Sequence, residues 1–165
     1  MPTYVLTRRA AFLSLGAFAA TGLGGCNTTP TAAVSPAASG FRIGAVNVDT
    51  APLVAYVGNP TAQWAQQAMP GALAQAFGAR MAPGDPGAQT LSVRIDTLYL
   101  GGGGPADPDR IRGVAMVGGH TITVRAVSTY FSSPTDQALP EQALQGRVQA
   151  LAVDFAYRLR GKLGA

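Results

Sequence analysis

From Leu144 onward the apolar residues return at steps of four, three, four and four, through Val148, Leu151, Phe155 and Leu159. That spacing puts them on one stripe of an α-helix about 100° wide, which must be buried against something. Pro140 and Glu141 suit the start of this helix. Arg158, Arg160 and Lys162 place positive charge at its end, where the helix dipole is negative. Asp154 and Arg158 are four apart on its polar side and predict an i,i+4 ion pair. A single amphipathic helix cannot hide its own stripe. The rest of the chain must therefore supply a complementary apolar surface.

That surface is a sheet. Leu91, Val93 and Ile95 alternate with Ser92, Arg94 and Asp96, which predicts a half-buried strand reaching about Leu100. Arg112–Val117 predicts a second strand, and Thr121–Phe131 a third with Ile122, Val124 and Ala126 on one face. Gly118-Gly119 between them suits a two-residue hairpin turn, because glycine accepts positive φ without penalty. Phe41–Asp49 alternates through Phe41, Ile43 and Ala45, then shifts phase to Val46 and Val48, which predicts a strand with a bulge at the shift. Residues 50–58 are open to a further strand or a packed loop.

Asn59-Pro60 reads as a cap residue followed by proline at the first helical position. Trp64, Ala68, Leu73, Phe77 and Met81 then fall near helical spacing. Pro70-Gly71 interrupts them, so the expectation is either one kinked helix over 60–81 or a turn followed by a helix from Pro70. Pro83-Gly84-Asp85-Pro86-Gly87 marks the stretch from Met81 to Gln89 as a loop. The element order is thus β-α-β-β-β-α. It predicts an α+β two-layer sandwich, with two helices on one face of a mostly antiparallel sheet, over a single domain of residues 41–165. No internal repeat is detectable.

The first 25 residues have a different character. Arg8 and Arg9 precede an apolar run from Ala10 to Ala20, and small residues follow up to Cys26. This is the pattern of a signal peptide. The run is too short, and too diluted by Ser14, Gly16 and Thr21, for the roughly 20 apolar residues of a membrane-spanning helix. Cys26 is the sole cysteine among 165 residues. No intrachain disulfide can form, and an odd thiol in an exported chain calls for an explanation. Asn27 to Gly40, rich in Ala, Pro and Ser, has the composition of a tether.

Leu23-Gly24-Gly25-Cys26 resembles the lipobox of bacterial lipoproteins. The resemblance implies cleavage between Gly25 and Cys26, a diacylglycerol on the thiol and a further acyl chain such as palmitate on the new amino terminus. An ordinary secretory leader cut after Ala19 or Ala20 is the alternative. Thr7-Arg8-Arg9-Ala10-Ala11-Phe12-Leu13 resembles a twin-arginine export motif but carries Ala11 where a bulky apolar residue is common. Equally, Arg8 and Arg9 supply the positive charge of any leader. Asn27 is not the aspartate that favours inner-membrane retention in such lipoproteins. The resemblance therefore implies the outer membrane, with the domain facing the periplasm.

The pI near 9.7 raises the question of a nucleic-acid partner. Removing Arg8 and Arg9 with the leader leaves ten basic residues against eight acidic ones, mostly dispersed along the chain. That is no footprint for a phosphate backbone, and a nucleic-acid partner is not expected. Gly101–Gly104 follows a strand, yet proline, acidic residues and another strand come next, where a phosphate loop needs a helix and a lysine. It reads as a mobile inter-strand loop. Asp107 and Asp109 lack the rest of a calcium loop and read as exposed loop carboxylates. His120, the lone histidine, has no Gly-x-Ser-x-Gly elbow to serve and reads as a solvated turn residue. Trp64 is open to two readings, an anchor for a partner interface or a large core residue. No catalytic set, metal site or cofactor beyond the covalent lipid is expected.

The order of elements over residues 41–163 resembles small envelope lipoproteins of Gram-negative bacteria, the auxiliary lipoproteins of ABC-type transport systems and the lipopolysaccharide-assembly lipoprotein. The likeness rests on stretches such as Met69-Pro70-Gly71-Ala72-Leu73 and Thr121-Ile122-Thr123-Val124-Arg125. It implies a non-enzymatic accessory module that binds an envelope protein partner. A carrier or sensor of a small apolar or lipid ligand held between helices and sheet is the alternative, and an undetected hydrolase using His120 or Asp107 and Asp109 a third.

Overall fold

The computed structural model of the chain describes residues 40–102, 104–130 and 140–165. The leader, Gly25, Cys26, Arg8, Arg9 and the tether up to residue 39 lie outside the described residues, as does Phe131.

Four strands form one sheet in the order β1-β2-β3-β4: β1 (Ile43–Asp49), β2 (Gln89–Tyr99), β3 (Asp109–Val117) and β4 (His120–Ser128). β2, β3 and β4 run as an antiparallel meander, while β1 pairs parallel to β2. A parallel neighbour needs a crossover. It is supplied by α1 (Ala51–Val57), α2 (Asn59–Ala76) and a 3₁₀ turn at Gly78–Arg80. The last helix, α3 (Pro140–Leu163), packs beside α2 and against β3 and β4. The helices lie on one face of the sheet, the expected α+β two-layer sandwich.

Inward residues alternate cleanly. Leu91, Val93, Ile95 and Leu98 of β2 meet Ile111, Ala115 and Val117 of β3 and Ile122, Val124 and Ala126 of β4, all buried. Above them lie Ala65, Met69, Leu73 and Ala76 of α2 and Val148, Leu151, Phe155 and Leu159 of α3. Alanine recurs on both facing helices, at Ala62, Ala65, Ala72, Ala152 and Ala156. Small side chains there let α2 and α3 approach closely. Fully burying side chains the size of Leu or Phe contributes about 1.5–3 kcal/mol each, so this layer is the main favourable term in folding.

Several expectations need correction. Residues 50–58 form neither strand nor loop: Ala51–Val57 is a short helix that buries Leu53. It is recruited because the chain must leave β1 and climb onto the helical layer. Residues 59–76 are one helix that runs through Pro70, and its first turn is preceded by Gly58 (φ 78°) with no side-chain cap from Asn59. β3 starts at Asp109, three residues earlier than the apolar pattern indicates. The register irregularity of β1 falls between Ile43 and Ala45, just before the predicted phase change. A second one, between Ile95 and Thr97, makes Asp96 the extra residue of β2. Asp154 and Arg158 do not close into an ion pair. An exposed pair of this kind is worth only about 0.3–0.5 kcal/mol, too little to hold two long side chains together. The Gly118-Gly119 hairpin is as expected, with φ of 57° and 77° and Val117 paired to His120.

Pro70 is exposed, while the buried residues of α2 lie on the opposite side of the helix. It withholds a donor from the Gln66 carbonyl and brings no core packing. Replacing it with alanine is worth roughly 3 kcal/mol in helix propensity, offset by about 0.4–1 kcal/mol for restoring freedom to the unfolded chain. Pro70→Ala is expected to stabilise the protein by about 2 kcal/mol in a chemical denaturation experiment.

Candidate functional site

Two polar features stand out. The first is at the end of the sheet where β2 leaves and β3 enters. Inward parity along β3 passes through Val117, Ala115, Gly113 and Ile111 and then reaches Asp109, which is 1% exposed. An aspartate at a core position must find charge and hydrogen bonds or pay heavily for lost hydration. Arg147 of α3 provides them, with its Nε 3.0 Å from Asp109 Oδ2 and its Nη2 2.5 Å from Oδ1. The Gly101 amide donates to the same Oδ1 at 2.9 Å, and Arg147 Nη2 also donates to the Gly101 carbonyl. The guanidinium stacks 4.7 Å from the centre of the Tyr130 ring. The hydrogen bonds to Asp109 raise the Arg147 pKa above its ordinary value, against the opposing effect of burial.

The Gly101–Gly104 loop is held at Gly101, Gly102 and Gly104, each of whose amides donates a hydrogen bond. Its amides do meet anions, but the anions are the protein's own carboxylates. Asp107 Oδ2 accepts from the Gly102 amide at 2.7 Å and from the Tyr99 hydroxyl at 3.1 Å. The Gly104 amide donates to the Tyr130 carbonyl at 2.7 Å. A side chain at position 101 would collide with the Asp107 backbone, its Cβ falling onto the carbonyl oxygen. Glycine is required there by close approach. Of the two acids read as exposed, Asp109 is a core residue and Asp107 a loop clasp.

The second feature is the sheet face that no described helix covers. Cross-strand register sets its rows. Tyr99, Arg110 and Val127 form one, Thr97, Arg112 and Arg125 the next, then Arg94, Val114 and Thr123, then Ser92, Met116 and Thr121. Four of the ten basic residues after position 25 thus share one surface. Dispersal along the sequence concealed this, because period-two spacing on adjacent strands converges in space. Arg94 is committed to Asp96 at 2.8 Å. Arg110 stacks 5.3 Å from the centre of the Tyr99 ring and lies 3.9 Å from Asp107. Apolar surface is interleaved with the charge: Tyr99, Met116 and Val127 are 48%, 49% and 46% exposed.

The other sequence candidates lie apart from both features. Trp64 is half-buried on α2 and packs against the core. His120 is exposed at the start of β4. A recess of about 110 Å³ lies at the end of α2, lined in part by Phe77, Arg80 and Arg160. No described helix is long and apolar enough to cross a membrane.

Arg147 escaped the sequence reading, although a signal was present. It is three residues after Leu144 and four before Leu151, so it lies on the apolar stripe, where a charge demands a partner. The parity of β3 identifies that partner.

Removing one member of the buried pair leaves an uncompensated charge and costs about 3–5 kcal/mol. Asp109→Ala is expected to lose that much in denaturant titration. Asp109→Leu with Arg147→Met is expected to recover only part of it, because the Gly101 amide and carbonyl also lose their partners. Asp107 is held below the ordinary value of 3.8 first by the Gly102 amide and further by Tyr99 and Arg110. A depressed carboxylate contributes its stabilisation above the unfolded pKa and loses it as pH falls through the lower folded value. The Gly102 amide proton shift is thus expected to titrate below pH 3.8 by NMR, and Asp107→Asn is expected to abolish that titration.

No family model matches the chain. No curated protein matches it. Among solved structures, a minor lipoprotein from Acinetobacter baumannii is similar to it, with 9% sequence identity, a TM-score of 0.31, and coverage of 71% of this chain and 91% of that one.

Proposed function

We propose that the chain is a bacterial envelope lipoprotein, anchored through acyl chains on Cys26 in the outer membrane and facing the periplasm. Its folded part is a non-enzymatic interaction module of an envelope transport or assembly complex. The observation that carries the module reading is the open sheet face, which combines arginine with exposed Tyr99, Met116 and Val127. Arginine, tyrosine and methionine are the residue types enriched where proteins meet. The buried charges support the same reading. Asp109 and Arg147 bond each other and the Gly101 backbone. That is the arrangement of a structural clasp, not of an acid or base exposed to substrate.

The anchor reading rests on Leu23-Gly24-Gly25-Cys26 and on the tether composition of Asn27 to Gly40. Each buried methylene adds about 0.8 kcal/mol of membrane affinity, so two or three acyl chains hold a protein durably. Among the described residues the carrier reading has less to support it. Leu73, Phe155 and Leu159 at the helix–sheet interface are fully buried against their neighbours. The recess near Phe77 is about 110 Å³, against about 300 Å³ or more for sites that hold drug-sized ligands.

Cys26→Ser is expected to move the protein from the membrane fraction to the soluble fraction, and intact mass of the wild-type protein to include acyl chains. Unchanged sedimentation of the serine variant would remove the anchor. A photoreactive residue at Thr123 is expected to crosslink the same envelope protein reproducibly in cells. No reproducible adduct would remove the module.

A further inference from the structure

Arg112 and Arg125 are directly opposed cross-strand partners on the open face, and both are exposed. Among the described residues neither has a hydrogen bond, ion pair or ring contact. Like charges in that relation destabilise a sheet. The fold gains nothing from them in isolation. Threonine occupies the equivalent outward positions Thr121 and Thr123 of the same strand, with good β propensity and no charge.

We propose that the β3–β4 half of the open face docks an acidic protein surface, with Arg112 and Arg125 as paired carboxylate-binding groups and Arg110 beside them. The proposal names the partner chemistry of the interaction module and rests on that reading. Two arginines on paired strands about 5 Å apart at the backbone offer planar guanidinium forks that suit carboxylates geometrically as well as electrostatically. Bound carboxylates would also relieve the repulsion between them.

Three features favour a protein over a lipid surface. The basic residues of this face are all arginine, with Tyr99, Met116 and Val127 interleaved, and arginine rather than lysine is enriched at protein interfaces. The sign of the face is also mixed. Asp49 and Asp96 lie on its β1–β2 side, with Asp49 paired in register to Arg94. A uniformly anionic bilayer would be repelled there, whereas a protein with an acidic centre and a basic rim would be complementary. Position adds a third argument. The chain enters the sheet where Ile43 pairs with Gln89, and the Arg112–Arg125 row crosses β2 at Thr97. The eight residue steps from Gln89 to Thr97 correspond to about 26 Å of strand, so the patch lies far from the end at which the chain enters the sheet.

The test uses the full-length protein in a nonionic detergent. The probes are a fluorescent oligoglutamate peptide and vesicles of phosphatidylethanolamine with phosphatidylglycerol. Wild-type protein is expected to bind the peptide in a salt-dependent manner. Arg112→Gln with Arg125→Gln is expected to weaken binding about tenfold or more. Arg158→Gln with Lys162→Gln, which removes as much charge from α3, is expected to leave it within about twofold. Arg112→Gln alone is expected to raise the melting temperature by about 2 °C by relieving the opposed pair. Equal weakening by both double variants would overturn the proposal, because net charge alone would then explain binding. A lower melting temperature for Arg112→Gln would also overturn it, by making the arginines part of the fold. So would arginine-dependent binding to vesicles without binding to peptide, or a dimer in sedimentation that the Arg112/Arg125 variant dissolves. The fractionation and Thr123 crosslinking assays use none of these variants, so the module reading and its partner chemistry can fail separately.

Discussion

A carboxylate stripped of water inside a protein is tolerable only when its positive partner is held in place, and Asp109 makes that demand at the point where four elements meet. Its bonds to Arg147 join β3 to α3, and its bond to the Gly101 amide joins β3 to the end of β2. Tyr130, just past β4, stacks on the same guanidinium and accepts from the Gly104 amide. Apolar contacts supply most of the energy that binds helices to sheet, but they are not directional. The ion pair is directional, and it sets where α3 stops sliding over β3. Buried pairs of this kind often add little net stability over an apolar replacement; here the pair also satisfies the Gly101 amide and carbonyl, which an apolar replacement would leave without partners.

The sandwich is two-layered on one side only. Leucine, valine, isoleucine and alanine fill the helix-facing side of the sheet, and the other side is arginine, threonine and scattered apolar residues. Antiparallel sheets commonly accept such asymmetry because alternate residues serve alternate environments. What differs from an ordinary solvated face is the grouping of one sign of charge on β3 and β4. Structural need does not explain Arg112 opposite Arg125, whereas it does explain Asp109 and Arg147.

Much of the architecture was legible in the residues. Strict alternation at Leu91–Ile95, the stripe from Leu144 to Leu159 and the Gly118-Gly119 turn each depend on local rules, and each is present in the fold, with Leu144 half-buried at the end of its stripe. What stayed hidden depends on neighbours distant in sequence. Residues 51–57 are helical because of where β1 must deliver the chain, and nothing in Leu53-Val54-Ala55-Tyr56-Val57 conveys that. Pro70 left open a kinked helix or a boundary, and the burial of Met69, Ala72 and Leu73 carries the helix through it. Asp109 looked like loop because acidic residues and Pro108 surround it. Only its even spacing from Ile111 and Ala115 betrayed an inward side chain. The arginine rows required strand register, which a single sequence does not contain.

The parallel pairing of β1 has a kinetic consequence. The β3–β4 hairpin closes over two residues and β2 joins β3 across nine, so the meander is assembled from near neighbours. Ile43 must find Gln89 across the whole of α1 and α2. Contacts so far apart in sequence pay a larger loop-closure entropy before they are rewarded, which places β1 late in assembly. The last strand to seat is therefore β1, so the final step of folding completes the sheet at the edge opposite β4.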